Sequence, residues 1–157
     1  MANIEDNIPL LIGSIMGNIM SMPYLKLLDI DFPKKYVDKF QGPKFGIQGI
    51  RDILGAYDRP LLNNMIKPCT GYTPDVGAKL FFEAAAGGVD VIKDDELIGG
   101  DRSFNKLADR VKANMDAAHR AEEVKGEKTL YACNITDEIS RLKDNAMTVI
   151  ENGGNCI

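Results

Sequence analysis

Gly87-Gly88-Val89-Asp90-Val91-Ile92-Lys93-Asp94-Asp95-Glu96 runs from a double-glycine stop through a β-branched stretch into a lysine followed by three carboxylates. Val89 to Ile92 read as a short strand, and side-chain alternation then places Lys93 and Asp95 on one face, with Glu96 where the strand should end. Oxygen ligands converging at a strand terminus suit a hard cation such as magnesium, provided Lys93 contributes an oxygen. An uncharged lysine that captures carbon dioxide as a carbamate does so. The other reading is a surface ion pair between Lys93 and Asp95, since structural ion pairs also cluster at strand ends.

Outward from this stretch the pattern is regular. On the N-terminal side, Leu61 to Ile66 is a candidate strand closed by Lys67-Pro68, and Thr73-Pro74-Asp75 starts a helix with a capping hydroxyl and a proline at its first position. Val76, Leu80, Phe81, Ala84 and Ala85 form that helix's expected buried stripe. On the C-terminal side, Asp101 or Ser103 caps a helix whose Phe104, Leu107, Ala108, Val111, Met115 and Ala118 share a face, and Gly126 ends it. Thr129 to Ile135 is a third strand. Thr136 caps a third helix carrying Ile139, Leu142, Ala146, Val149 and Ile150, and Gly153-Gly154 lead into Asn155-Cys156-Ile157 as the start of a fourth strand.

The order βαβαβαβ demands a parallel sheet with crossover helices, in an open doubly wound form or in a TIM (β/α)8 barrel. No GxGxxG follows any expected strand, which removes the main sign of a dinucleotide-binding sheet. Polar residues gather instead at the C-terminal ends of successive strands: Lys67, then Lys93 to Glu96, then Asn134 with Thr136. Barrels build their active sites there, so the constellation favours function over a lone ion pair.

Upstream, residues 8–20 form an apolar, glycine-punctuated run read as extended and leading to a turn near Asn18. Tyr24 to Leu28 looks like a short helix. Pro33 and Gly42-Pro43 break up a connector anchored by Tyr36, Val37 and Phe40, and Ile47, Ile50, Ile53 and Leu54 recur at helical spacing up to Gly55. The expected division is 1–58 as the end of an N-terminal α+β domain with its connector, and 59–157 as the N-terminal part of the barrel.

A net charge of -4 and a pI near 5.0 argue against nucleic acid as the main partner. Cys69, Cys133 and Cys156 lack CxxC spacing and suit a reducing compartment. Glu5 and Asp6 precede only a short apolar stretch, which is neither a signal peptide nor a bilayer span, so the cytoplasm is expected and a membrane is not.

Ser14-Ile15-Met16-Gly17-Asn18, the segment Tyr36 to Arg51 with Phe40-Gln41-Gly42-Pro43 and Gly46-Ile47-Gln48, the run Arg59-Pro60-Leu61-Leu62 to Ile66-Lys67-Pro68, and Gly87-Gly88-Val89-Asp90 to Lys93-Asp94-Asp95-Glu96 together resemble the large chain of RuBisCO and the RuBisCO-like proteins. The similarity runs in order from about residue 10 to the last residue. It implies that Lys93 is the lysine that becomes carbamylated and that Asp95 and Glu96 complete a magnesium site with it. It implies that Lys67 lies against the substrate and assists proton movement at the enolising carbon. Asn18 matches an asparagine that reaches metal and substrate from the partner subunit of a homodimer. The shared chemistry is enolisation of a phosphorylated ketose.

Departures from that pattern narrow the reading. Lys67-Pro68-Cys69 stands where carboxylating members have Lys-Pro-Lys, and Met65 stands where they have a threonine. Both resemble the RuBisCO-like branch, whose members run enolase, isomerase or decarboxylase reactions on other sugar phosphates, methionine-salvage intermediates among them. Cys69 as a nucleophile competes with Cys69 as a small buried hydrophobe. A complete barrel takes about 250 residues, so the chain reads as an internal fragment of an incomplete barrel, inactive by itself. The alternatives to a RuBisCO-like enolase or isomerase are a true ribulose-1,5-bisphosphate carboxylase/oxygenase large chain, a non-catalytic fragment, and a generic phosphate-binding module, the last disfavoured because no P-loop appears.

Overall fold

The computed structural model describes residues 4–69 and 71–157, without the side chains of Asn18 and Ile19. The chain forms two compact units, Met1–Gly46 and Ile47–Ile157. Among the described residues no helix is long and apolar enough to cross a membrane.

In the first unit, residues 8–21 are helical and not extended as expected. Helix α1 (Ile8–Ile12) starts because the Asn7 side chain accepts from the Leu10 N–H at 2.9 Å and proline occupies the first turn. A π-helical turn, Gly13–Asn18, and a 3-10 turn, Ile19–Ser21, continue it. The helix expected over Tyr24 to Leu28 does not form. Tyr24 has φ 70, outside the right-handed helical region, and residues 25–30 carry no regular structure. Helix α2 (Lys34–Val37) follows Pro33 instead, and Tyr36 stacks on Phe32 at a ring distance of 5.4 Å and meets Phe40 at a tilt of 58° and 5.3 Å.

The second unit carries the parallel sheet. After α3 (Gly46–Leu54) come β1 (Asn63–Met65), α4 (Pro74–Ala86), β2 (Val91–Lys93), α5 (Leu107–Lys125), β3 (Leu130–Ala132) and α6 (Ile139–Glu151). The strands lie in the order β1-β2-β3, with Asn64 opposite Ile92 and Ile92 opposite Tyr131. An isolated parallel bridge joins Ala132 to Cys156, beside β3 at the position where the sequence places the start of a fourth strand.

Alternation along the strands sorts two cores. Ile92 and Tyr131 face the helices and pack with Phe81, Val111, Ala117 and Val149. Leu130, with the half-buried Val91, faces the other way, against Leu54 and Ile50 of α3. Gly126 closes α5 at φ 77, where a residue with a Cβ would be strained.

Several expected details differ. Thr73 makes no side-chain cap bond, and α4 turns Gly77, Ala78, Phe81 and Ala85 inward, leaving Val76 and Leu80 exposed. A Cβ on Gly77 would meet the Tyr72 ring at 2.8 Å, so this face of α4 lies unusually close to its neighbour. Asp101 does cap α5, from outside the helix, by accepting the Leu107 N–H at 3.0 Å, while Phe104 is exposed. Thr136 does not cap α6, which starts after Glu138, and α6 buries Asn145 and Val149 while Ile139 is 90% exposed and Ile150 61%.

The ion pair at the base of β2 is structural. Arg59 grips Asp90 with two bonds of 2.6 and 2.8 Å, and Asp90 also accepts the Leu62 N–H at 2.8 Å. The guanidinium, helped by that N–H, holds the Asp90 carboxyl below the usual carboxylate range. Asp90 therefore stabilises the fold above its unfolded pKa of about 4 and loses that contribution as pH falls through the lower folded value. Asp90→Asn should lower stability at neutral pH and leave a shallower decline below about pH 4, read from thermal unfolding against pH.

Candidate active site

The strands end side by side. The Ile66 N–H donates to the Lys93 carbonyl at 3.2 Å, and the Asp94 N–H to the Ala132 carbonyl at 3.2 Å, so the residues after β1, β2 and β3 share one rim. From the last residue of β2 onward the four residues of the motif separate. Lys93 is half-buried, Asp94 and Asp95 are buried, and Glu96 is 71% exposed.

Asp94 turns to the helix side. Its carboxylate accepts from Arg110 Nε at 3.1 Å, from the Tyr131 hydroxyl at 2.8 Å and from the Asn134 N–H at 3.1 Å. Burial pushes its pKa up, while these donors pull it back. Asp95 turns to the rim and pairs with Lys67, whose side chain is 61% exposed against 1% for Asp95. Lys67, with help from the Leu97 N–H at 2.9 Å, holds the Asp95 carboxyl below its ordinary range; Asp95 in turn raises the Lys67 pKa, with Glu96 adding to the effect. Lys93 Nζ lies 3.9 Å from Glu96 Oε2.

The structure therefore brings Lys67, Lys93, Asp95 and Glu96 together. The Asn18 side chain lies outside the described residues. The ion pair expected between Lys93 and Asp95 does not form: Lys93 contacts Glu96, and Lys67 takes Asp95. Among the described residues no three His, Cys, Asp or Glu side chains form a metal-binding group, because the rim supplies two carboxylates and two lysines. A cavity of about 410 Å³ opens beside the motif, lined by Lys93, Asp94 and Glu96 from one strand end and by residues 132–136 from the next. Cys133 lines it too, but burial pushes its thiol up to about 11, which leaves it protonated at neutral pH. His119 is exposed on α5.

Sequence reasoning missed Arg110, Asn105 and Tyr131. Arg110 sits three residues after Leu107 and one before Val111, inside the apolar stripe of α5, and a charge on a buried face is a signal in itself.

Gly99 and Gly100 lock the loop after the motif onto the loop after β3. The Gly100 N–H donates to the Thr136 carbonyl at 2.9 Å, and a Cβ on Gly99 would strike that same carbonyl. Gly99→Ala should cost about 1–3 kcal/mol, since backbone cannot swing aside. A lowered urea midpoint with unchanged slope would show it.

Residues 46–157 match the family described as ribulose bisphosphate carboxylase large chain, catalytic domain. A ribulose bisphosphate carboxylase-like protein of Archaeoglobus fulgidus is 54% identical over 155 residues, which is 99% of this chain and 35% of that protein. The chain thus spans about a third of the length of the curated relatives it matches. Among solved structures, a rubisco-like protein (MtnW) from Alicyclobacillus acidocaldarius is 35% identical with a TM-score of 0.82, over 98% of this chain and 38% of that one. The dimeric archaeal Rubisco from Hyperthermus butylicus is 38% identical with a TM-score of 0.81, over 96% of this chain and 36% of that one. The parallel βα units are those of the RuBisCO fold, covering part of its barrel, and the chain belongs to the RuBisCO large-chain family.

Proposed function

We propose that the chain is part of a magnesium-dependent RuBisCO-like enzyme that enolises a phosphorylated ketose, of enolase, isomerase or decarboxylase type, with methionine-salvage intermediates among the candidate substrates. The observation that carries this reading is the meeting of Lys67, Lys93, Asp95 and Glu96 on one strand-end rim. Two carboxylates alone are a poor site for a hard cation. A carbamate on Lys93, 3.9 Å from Glu96 before modification, supplies the missing oxygen ligand, so the residues fit magnesium.

In this reading Lys93 as carbamate, Asp95 and Glu96 hold the ion. Magnesium, when bound, polarises the substrate carbonyl and spreads the charge that develops on it. Lys67 assists proton movement at the enolising carbon, as a proton donor while it is an ammonium. Its ammonium already rests on the Asp95 carboxylate, which keeps it at the rim and charged. Asn18 reaches the site from a second copy in a homodimer. Residues 59–157 are the barrel portion and 1–58 the end of the preceding domain.

Cys69 in place of a second lysine, and the carboxylase-like names of the relative at 54% identity and of the structure at TM-score 0.82, support the non-carboxylating branch. The likeness to an archaeal Rubisco keeps the carboxylase as the second reading. The test uses the protein that carries this chain, supplied with ribulose bisphosphate and radiolabelled bicarbonate. No fixed label is expected, together with magnesium-dependent exchange of solvent deuterium into a phosphorylated ketose. Fixation would establish the carboxylase; neither fixation nor exchange would leave a non-catalytic member of the family.

A further inference from the structure

We infer that Arg110 is a positioning residue for the Lys93–Glu96 motif, acting through Asp94 and Asn134; this rests on reading the motif as a carbamate and magnesium site. Arg110 is 1% exposed, among the most enclosed side chains of the described residues. Its Nε donates to Asp94 at 3.1 Å, Nη1 to the Asn105 side chain at 3.1 Å, and Nη2 to the carbonyls of Gly99 at 3.3 Å and Asn134 at 3.2 Å. One planar fork thus ties the end of β2, the loop after it, the approach to α5 and the end of β3.

The tie leads straight to the proposed ligands. Asp94 is bonded covalently to Lys93 on one side and Asp95 on the other, so a rotation of Asp94 carries both. Asn134, held by Arg110 at its carbonyl, returns its Nδ2 to the carbonyls of Asp95 and Glu96, each at 3.1 Å. Each residue of the motif beyond Lys93 is therefore tied to this guanidinium, Asp94 directly and the backbone of Asp95 and Glu96 at one remove through Asn134, while the Asp95 carboxylate itself is held by Lys67 and the Leu97 N–H.

Space filling does not explain the choice. A buried ion pair is commonly no more stabilising than apolar residues of the same volume, because both charges lose their water. The fork gives direction: fixed donors aimed at several acceptors, which a flexible ammonium cannot reproduce. Residues that hold ligands in place in this way commonly change metal affinity by about 10–100-fold when lost.

The test compares the protein that carries this chain with its Arg110→Lys variant, which keeps the charge and loses the fork. Carbamate on Lys93 is followed by carbon NMR with isotopically labelled bicarbonate while magnesium is raised, and thermal unfolding is measured beside it. Val111→Ala, which opens the same core and leaves every side chain of the network in place, is the stability control. Arg110→Lys should need on the order of tenfold more magnesium to reach half of its carbamate signal, while Val111→Ala keeps the wild-type midpoint despite its lower Tm. Should Arg110→Lys fail to fold, Tyr131→Phe decides, since it removes one donor to Asp94 and should raise the midpoint by a smaller factor. A folded Arg110→Lys, or in its place Tyr131→Phe, with the wild-type midpoint overturns the positioning role alone. A wild-type chain that gives no carbamate signal at any magnesium concentration overturns the site reading, and the inference with it.

Discussion

Phe81→Ala should lower the stability of the chain by about 3–5 kcal/mol, the range for deleting a fully buried aromatic ring. Phe81 is 0% exposed on α4, and its ring meets that of Tyr131 edge-on, with centroids 5.5 Å apart and planes at 87°. Edge-to-face pairs of this kind contribute about 0.5–1.5 kcal/mol beyond the area they bury. The contact joins α4 to β3 on the helix-facing side of the sheet, where Ile92, Val111 and Val149 complete the core. Urea unfolding should show a large fall in midpoint with little change in slope. Val76→Ala on the same helix should change stability by less than about 0.5 kcal/mol, because Val76 is exposed. Equal losses from the two substitutions would mean that α4 packs with a different face.

That contrast also shows what the sequence could carry. Alternating strand and helix signals gave the parallel sheet, its connecting helices and even the place of the bridge at Cys156, because Gly87-Gly88, Gly126 and Gly153-Gly154 punctuate the chain where the backbone turns. The rotation of α4 was hidden. Its inward face includes Gly77, whose missing side chain admits the Tyr72 ring, and no hydrophobicity pattern marks a glycine as buried. In α6, Ile139 and Ile150 fit the helical period yet stay exposed, while Asn145 is buried and donates to the Ile135 carbonyl at 3.2 Å. Around residues 8–20, apolar residues and glycines suggested extension; the Asn7 cap and Pro9 set a helix instead.

The rim was legible for a simple reason: Lys93, Asp95 and Glu96 are neighbours in sequence, and Lys67 follows the adjacent strand. Which lysine pairs with which acid was not legible, because Lys67 comes from 28 residues away to take Asp95. Arg110 is further from recognition still, since its acceptors lie before it at Asp94 and Asn105 and after it at Asn134, on another strand end. A network of that kind depends on the assembled fold.

Lys93→Met should remove the proposed site and leave the fold. Lys93 is half-buried, and its contact with the exposed Glu96 is long at 3.9 Å, so the pair contributes little and the loss of stability should stay below about 1 kcal/mol. Without an amine there is nothing to carry a carbamate, and the rim keeps only two carboxylates. The NMR carbamate signal and any magnesium-dependent rise in Tm should both vanish. In the protein that carries this chain, deuterium exchange into a phosphorylated ketose should fall by a factor on the order of a thousand, comparable to or beyond the loss of one preorganised electrostatic group. Lys67→Met separates the roles: carbamate and magnesium binding should persist, with Asp95 released from its partner, while exchange is lost. A Lys93→Met chain that still gains Tm with magnesium and bicarbonate would place the ion elsewhere and remove Lys93 from the site.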